Sequence, residues 1–344
     1  MTSAKNEQVG WQSQSPDQTD HSQLISAGDI TFVLASLFLG VMQLLPASRR
    51  IQIIDKASTF LAGLLHTANA HSTQTIRRNL IKAVLGQDRP PDVIERDVRQ
   101  LLAITVWNSS IMHTMPVLGR EQIADLVPVD NLSCLDEYLT ENRPVLVWAY
   151  HFGVHPLIVA AILHARGYPI HAITHVRQMP AGATAFQRHY LKRLEGIGAQ
   201  FPVIDPREGL QRKMLDVLQS KECLYITPDY MVPLDEIDPA SAFVAPVDLL
   251  QRQAWLQTGG LRLAKRLKAN VVTILSTQDE KRQLRLAVEP FEFATSGLTP
   301  AELQRDLQMS IKRLEAHVIA HPNLWWDLKR DDFLQRLAVI SLDK

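Results

Sequence analysis

His151 and His155 bracket a turn in the stretch Pro144-Val-Leu-Val-Trp-Ala-Tyr-His-Phe-Gly-Val-His-Pro-Leu157. An imidazole titrates near neutrality, so it can take up and return a proton at working pH. Val145 to Tyr150 is an apolar and aromatic run bounded by Pro144, the pattern of a strand buried on both faces. The run breaks at Gly153 and Pro156, and a helical pattern continues from Leu157 to Ala165, with proline acceptable in its first turn. His151 therefore lies just past the carboxyl end of a strand, beside a helix amino terminus, where open α/β sheets bind their ligands. Three more polar groups, His175, Asp205 and Asp229, each follow a predicted strand. In a parallel sheet all four project toward one edge, the grouping that an acid/base site requires.

The elements that must hold these groups alternate. After a helix over 131–140 come the Pro144 strand, a helix over 156–166 and a strand over 170–174. Helix 183–195, strand 200–204, helix 207–220 and strand 222–227 follow, the last running into Pro228-Asp229. A helix over 250–268 leads to strands over 271–276 and 284–288, and an amphipathic helix over 303–321 ends the series. Alternation of this kind predicts an α/β fold, a mostly parallel central sheet flanked by helices.

Upstream, residues 51–125 carry helical periodicity, with Ile51, Ile53, Ile54, Phe60, Leu61, Leu64 and Leu65 on one apolar stripe. Ile30 to Ser48 is 19 residues without a charge, at the lower limit for a membrane span, which takes about 20. Gln43 and Pro46 shorten it, leaving a span, an interfacial helix and a buried core helix open. Arg49 and Arg50 follow directly, so a span would place the rest of the chain in the cytoplasm. Residues 1–29, rich in Ser, Gln, Asp and Thr, read as a disordered tail. The domain reading is thus a tail over 1–29, a helical membrane-associating region over 30–125 and an α/β core over 126–344.

Lys plus Arg equals Asp plus Glu at 36 each, which leaves no global field for nucleic acid. Cys134 and Cys223 are far apart and have no metal-ligand spacing. His151 and His155, four residues apart, can pair with Asp229 or His175 around zinc, but the Gly153 and Pro156 breaks and the lack of a following Glu argue against it.

Several blocks in order resemble the lysophospholipid acyltransferase superfamily, in particular its lipid A biosynthesis (lauroyl/myristoyl) branch. They are the apolar segment ending in Leu-Leu-Pro46, Arg78-Asn79-Leu80, Leu135 to Tyr138 and His151-Phe152-Gly153. Then come Tyr225-Ile-Thr-Pro228-Asp229, Gly259 to Thr273 and Pro322-Asn-Leu-Trp-Trp-Asp-Leu-Lys-Arg330. The resemblance implies transfer of a fatty acyl group from acyl carrier protein or acyl-CoA to a hydroxyl or amine acceptor, without a cofactor. It also implies the cytoplasmic face of a bacterial inner membrane. In that family a histidine, four residues and then Asp or Glu form the signature, the carboxylate orienting the general base. His151 matches; the acidic position is Pro156.

Three substitutes stay open: Asp229 reaching over from the neighbouring strand end, His155 in place of the acid, or His151 acting unassisted. The backbone N–H groups around Gly153 and at the start of helix 156–166 are expected to hold an oxyanion or a phosphate, and His175 and Arg177 to meet the acceptor or carrier. Arg262, Lys265, Arg266 and Lys268 suggest a basic face for an acidic carrier or anionic lipid. Pro156 also keeps a rival open, a lapsed enzyme serving as a lipid- or partner-binding module.

Overall fold

Prolines set where the first helices begin. In the computed structural model, which describes residues 44–85, 89–141, 143–173, 200–205, 209–238, 241, 243–279 and 283–339, Pro46 caps α1 (Ala47–Thr67). After α2 (His71–Leu80), the Pro90-Pro91 pair starts α3 (Pro91–Thr114) with proline at its first position, where a missing N–H costs nothing. The apolar stretch over 30–48 is described only from residue 44, where it is a turn, Pro46 and the start of α1; its earlier part and the tail over 1–29 lie outside the described residues. No described helix is long and apolar enough to cross a membrane.

The apolar stripe of α1 divides. Ile54 and Ala62 are buried, one on each side of buried Ser58, whereas Phe60 and Leu64 are 67% and 51% exposed. The buried trio recurs every four residues, which defines the inner face and turns Phe60 and Leu64 away from it.

Beyond α4 (Arg120–Ala124), β1 (Val129–Asp130) and α5 (Ser133–Thr140) comes β2 (Val145–Ala149), buried at every residue. It is covered on both faces: Leu146 and Trp148 enter one core with α3 and α9, and Val145, Val147 and Ala149 enter the other with α6. The chain continues through α6 (Pro156–Ala165), β3 (Ile170–Ile173), β4 (Val203–Ile204), α7 (Leu210–Gln219) and β5 (Cys223–Ile226). After β6 and β7, described below, come α8 (Gly259–Leu267), β8 (Asn270–Gln278), β9 (Leu284–Phe291), α9 (Pro300–Ala320) and β10 (Ala338–Val339).

Among the described residues the main sheet has seven strands in the order β1-β9-β8-β2-β5-β3-β4. Five run parallel, and β9 and β1 run the other way. This is the mostly parallel α/β sheet that the alternation predicted. Its helical N-terminal segments pack onto the sheet: Ile76, Leu80, Val98 and Leu101 share one core with Trp148, Leu224 and Val271.

The expected helix over 250–268 is corrected. Only Gly259–Leu267 is helical, and the residues before it form a hairpin of β6 (Val244–Leu249) and β7 (Arg252–Gln257) in a second sheet, β10-β7-β6. Its two-residue turn, Leu250-Gln251, has positive φ at both positions, as a right-twisted hairpin demands. Neither residue is the Asn or Gly that signals such a turn, so the hairpin was hidden. Lys265 is corrected with it. Its ammonium is buried in an ion pair with Asp306 and a hydrogen bond to Thr295, which removes it from any basic docking face.

Candidate active site

The last residue pair shared by β2 and β5 is Trp148 with Ile226. His151 and Asp229 each stand three residues further on, so parallel pairing alone carries them to neighbouring strand ends, about 5 Å apart across the sheet. His151 Nδ1 lies 2.9 Å from Asp229 Oδ1, and the His151 backbone N–H donates to Asp229 Oδ2 at 2.7 Å. One carboxylate thus fixes both the ring and the main chain of the histidine. The ionised carboxylate is acceptor-only, so Nδ1 carries the proton and Nε2 keeps its lone pair. The His151 side chain is 32% exposed while Asp229 is 2% exposed: the ring reaches solvent and the acid beneath it does not.

The turn after His151 is held from two sides. Gly153 has φ +69°, and a Cβ there would come 2.3 Å from Ser276 Cβ, so only glycine fits. The α3 side chain Asn108 donates to Gly153 O at 2.8 Å and accepts the His155 N–H at 2.7 Å. From the C-terminal segment, Trp326 Nε1 donates to the same carbonyl at 2.8 Å, and Trp326 N–H donates to His151 O at 3.1 Å.

The expectation that Gly153 offers its N–H to a ligand is corrected. That N–H donates to Leu324 O at 2.6 Å, and the next, on Val154, donates to Ser276 Oγ at 2.8 Å. His155 is the side-chain cap of α6, its Nδ1 accepting the Leu157 N–H at 3.1 Å; Asp229 is the group on His151 Nδ1. Pro156 occupies the first position of the helix and its carbonyl accepts from Tyr225 Oη at 2.7 Å. Asp205 closes β4, with β3 and β5 between it and β2. His175 and Arg177 lie outside the described residues.

Charge at the site is set by burial and by two groups of the C-terminal segment. Burial pulls His151 down, but the Asp229 carboxylate outweighs it by charge and hydrogen bond, with Asp327 adding and Lys329 opposing, so the pKa ends above its ordinary value. Asp327 itself is pushed up to about 6 by burial and by Asp229. Lys329, its ammonium 3.4 Å from the Trp326 ring centroid, is lowered to about 7 by burial despite the pull of Asp327. Burial, then the charges of His151 and Lys329, hold His155 well below the ordinary histidine value. Asn108, Ser276, Trp326, Asp327 and Lys329 were missed in the sequence. Only a polar Asn inside an apolar helix and the dense Trp-Trp-Asp-Leu-Lys-Arg block could have drawn attention to them.

An imidazole oriented by a buried carboxylate at the carboxyl edge of a parallel sheet has the geometry to accept a proton, and the family comparison gives the class of protein in which it sits. The family model for bacterial lipid A biosynthesis acyltransferases matches residues 20–331. The chain belongs to that family. No curated protein matches it. Among the described residues no group of three His, Cys, Asp or Glu is gathered closely enough to hold a metal ion.

Proposed function

We propose that this acyltransferase moves a fatty acyl group from a thioester, on acyl carrier protein or coenzyme A, to a hydroxyl or amine acceptor of lipid A, glycolipid or secondary-metabolite type. His151 is the general base and Asp229 the positioning acid. The acceptor O–H or N–H gives its proton to His151 Nε2 as its lone pair attacks the acyl carbon. The tetrahedral adduct then collapses, the C–S bond breaks, and the departing sulfur takes the proton back from Nε2. The observation that carries this reading is the paired contact of Asp229 with His151 Nδ1 and N, which supplies from a neighbouring strand the carboxylate that Pro156 cannot.

An amine is more nucleophilic than an alcohol and needs less help from the base, so an amide-forming role belongs to the proposal. Exposed Phe60 and Leu64 on α1, with Leu44, and the Arg49-Arg50 pair support seating on an anionic membrane surface. That surface is the cytoplasmic face of the inner membrane, reached peripherally or through a single N-terminal helix. The division into a tail over 1–29, a membrane-associating region over 30–125 and a core over 126–344 is part of the same proposal.

Pro156 in the acidic position favours a second reading, a lapsed enzyme kept as a lipid- or partner-binding module. The test is acyl transfer from acyl carrier protein and from acyl-CoA to a panel of hydroxyl and amine acceptors, by wild type and His151→Ala. Turnover that disappears in the variant supports the enzyme, and no turnover in either protein supports the module. Acylation of hydroxyl acceptors alone removes the amide-forming role.

A further inference from the structure

Acyl transfer needs a donor for the oxygen that turns negative when the acyl carbon becomes tetrahedral. Backbone N–H groups usually fill that role, and in this turn none is free. His151 donates to Asp229, Phe152 to Tyr150 O, Gly153 to Leu324 O, Val154 to Ser276 Oγ and His155 to Asn108. Pro156 has no N–H, Leu157 donates to the His155 ring, and Ile158 and Val159 donate to His155 O.

The His155 ring is different. Its Nδ1 is an acceptor, occupied by the Leu157 N–H at 3.1 Å. In a neutral imidazole the proton then has to sit on Nε2, and among the described residues Nε2 has no protein acceptor. The ring is partly exposed and is held edge-on against Trp326 at 4.8 Å between centroids. That indole is in turn anchored to Gly153 O. Burial and the nearby His151 and Lys329 charges keep the ring neutral, so it can donate from Nε2 without competing for the proton that His151 moves.

We propose that His155 is a catalytic residue whose Nε2–H donates to the thioester carbonyl oxygen as the tetrahedral adduct forms. This rests on the acyltransferase reading above. The carbonyl π electrons move onto the oxygen that accepts from Nε2–H and return when the C–S bond breaks, so His155 neither gains nor loses a proton. Pro156 fits this design: as the first helical residue it demands no acceptor, leaving Nδ1 to Leu157 and the tautomer fixed.

The test compares wild type, His155→Ser and His155→Asn. Both replacements are preferred helix caps, so the start of α6 is kept. For His155→Ser the expected result is a kcat lower by about 10²-fold, the usual loss of one such donor. The donor KM, the melting temperature and the pH at which kcat/KM rises stay as in wild type. His155→Asn, which carries an N–H of its own, recovers part of the loss. In the wild-type protein, ¹⁵N NMR is expected to show His155 as the neutral Nε2–H tautomer throughout the working pH range. A His155→Ser kcat within about threefold of wild type overturns the proposal. So does a shifted pH limb, or an Nδ1–H or doubly protonated ring. Wild type without turnover sinks the acyltransferase reading itself; wild-type turnover with an indifferent His155→Ser sinks this inference alone.

Discussion

Asp229 grips His151 twice, Oδ1 at 2.9 Å from the ring Nδ1 and Oδ2 accepting the backbone N–H at 2.7 Å. The two residues are 78 apart in sequence, yet the parallel register of β2 and β5 makes them neighbours. The ring tautomer and the end of the strand therefore depend on the same carboxylate.

Replacing Asp229 by Asn keeps the shape and presents either an amide donor or a weaker acceptor to Nδ1. Loss of the correct tautomer costs about 10⁴ in kcat in the serine triad, and a fall approaching that size is expected here. Steady-state kinetics of Asp229→Asn settle it. A kcat close to wild type would remove Asp229 from the mechanism.

The pH profile follows from the raised pKa of His151. A general base works when deprotonated, so kcat/KM rises with pH through a value above the ordinary histidine figure of about 6.5. Asp327 helps to raise that pKa. Asp327→Asn removes a negative charge and should move the limb to lower pH, whereas Lys329→Met, which removes a positive charge, should move it higher. Opposite shifts in the two variants are the signature; shifts of one sign would mean that the segment acts through structure alone.

The same shift affects stability. A folded-state pKa above the unfolded one means that the charged His151 stabilises the fold fully below the unfolded pKa. The contribution is lost as pH rises through the folded pKa. His151→Gln should therefore lose more melting temperature relative to wild type at pH 5.5 than at pH 8.5, which differential scanning fluorimetry reads directly.

Gly153→Ala places a methyl group 2.3 Å from Ser276 Cβ at φ +69°. Left-handed strain and overpacking together cost about 2–6 kcal/mol, and activity should fall with stability because the turn carries His151. Adding Ser276→Gly removes the clash and should recover part of the melting temperature, although it strips Val154 of its acceptor. No recovery in the double variant would show that backbone strain, not the clash, dominates.

Asp306, fully buried, accepts from Lys265, Thr295 and the Ala294 N–H. Asp306→Ala leaves a buried ammonium without its charge partner, which costs about 3–5 kcal/mol. Urea unfolding measures the loss. A change under about 1 kcal/mol would mean that Lys265 finds water instead.

Much of this was legible along the chain. Val145–Ala149 has no polar alternate, so it had to be a strand covered on both faces, and Gly153 and Pro156 marked the turn that follows. The recurrence of strand-then-helix predicted the sheet, and the spacing of His151 and Asp229 after their strands predicted a shared edge. What local pattern could not reveal were features decided across the sheet. The β6–β7 hairpin turns on Leu250-Gln251, a pair with no turn signature. Lys265 looked like a surface cation because its partner, Asp306, lies on a different helix.

Residue order determined that His151 and Asp229 each end a strand of a parallel sheet, because strand and helix periods are local properties of side-chain type. Only the folded chain decided the rest. It set β5 beside β2 so that the Asp229 carboxylate meets His151, and it brought Asn108, Ser276 and Leu324 to consume the N–H groups of the turn. The physical reason is that a hydrogen bond depends on distance in space, and the partners that govern this site come from segments far apart in sequence.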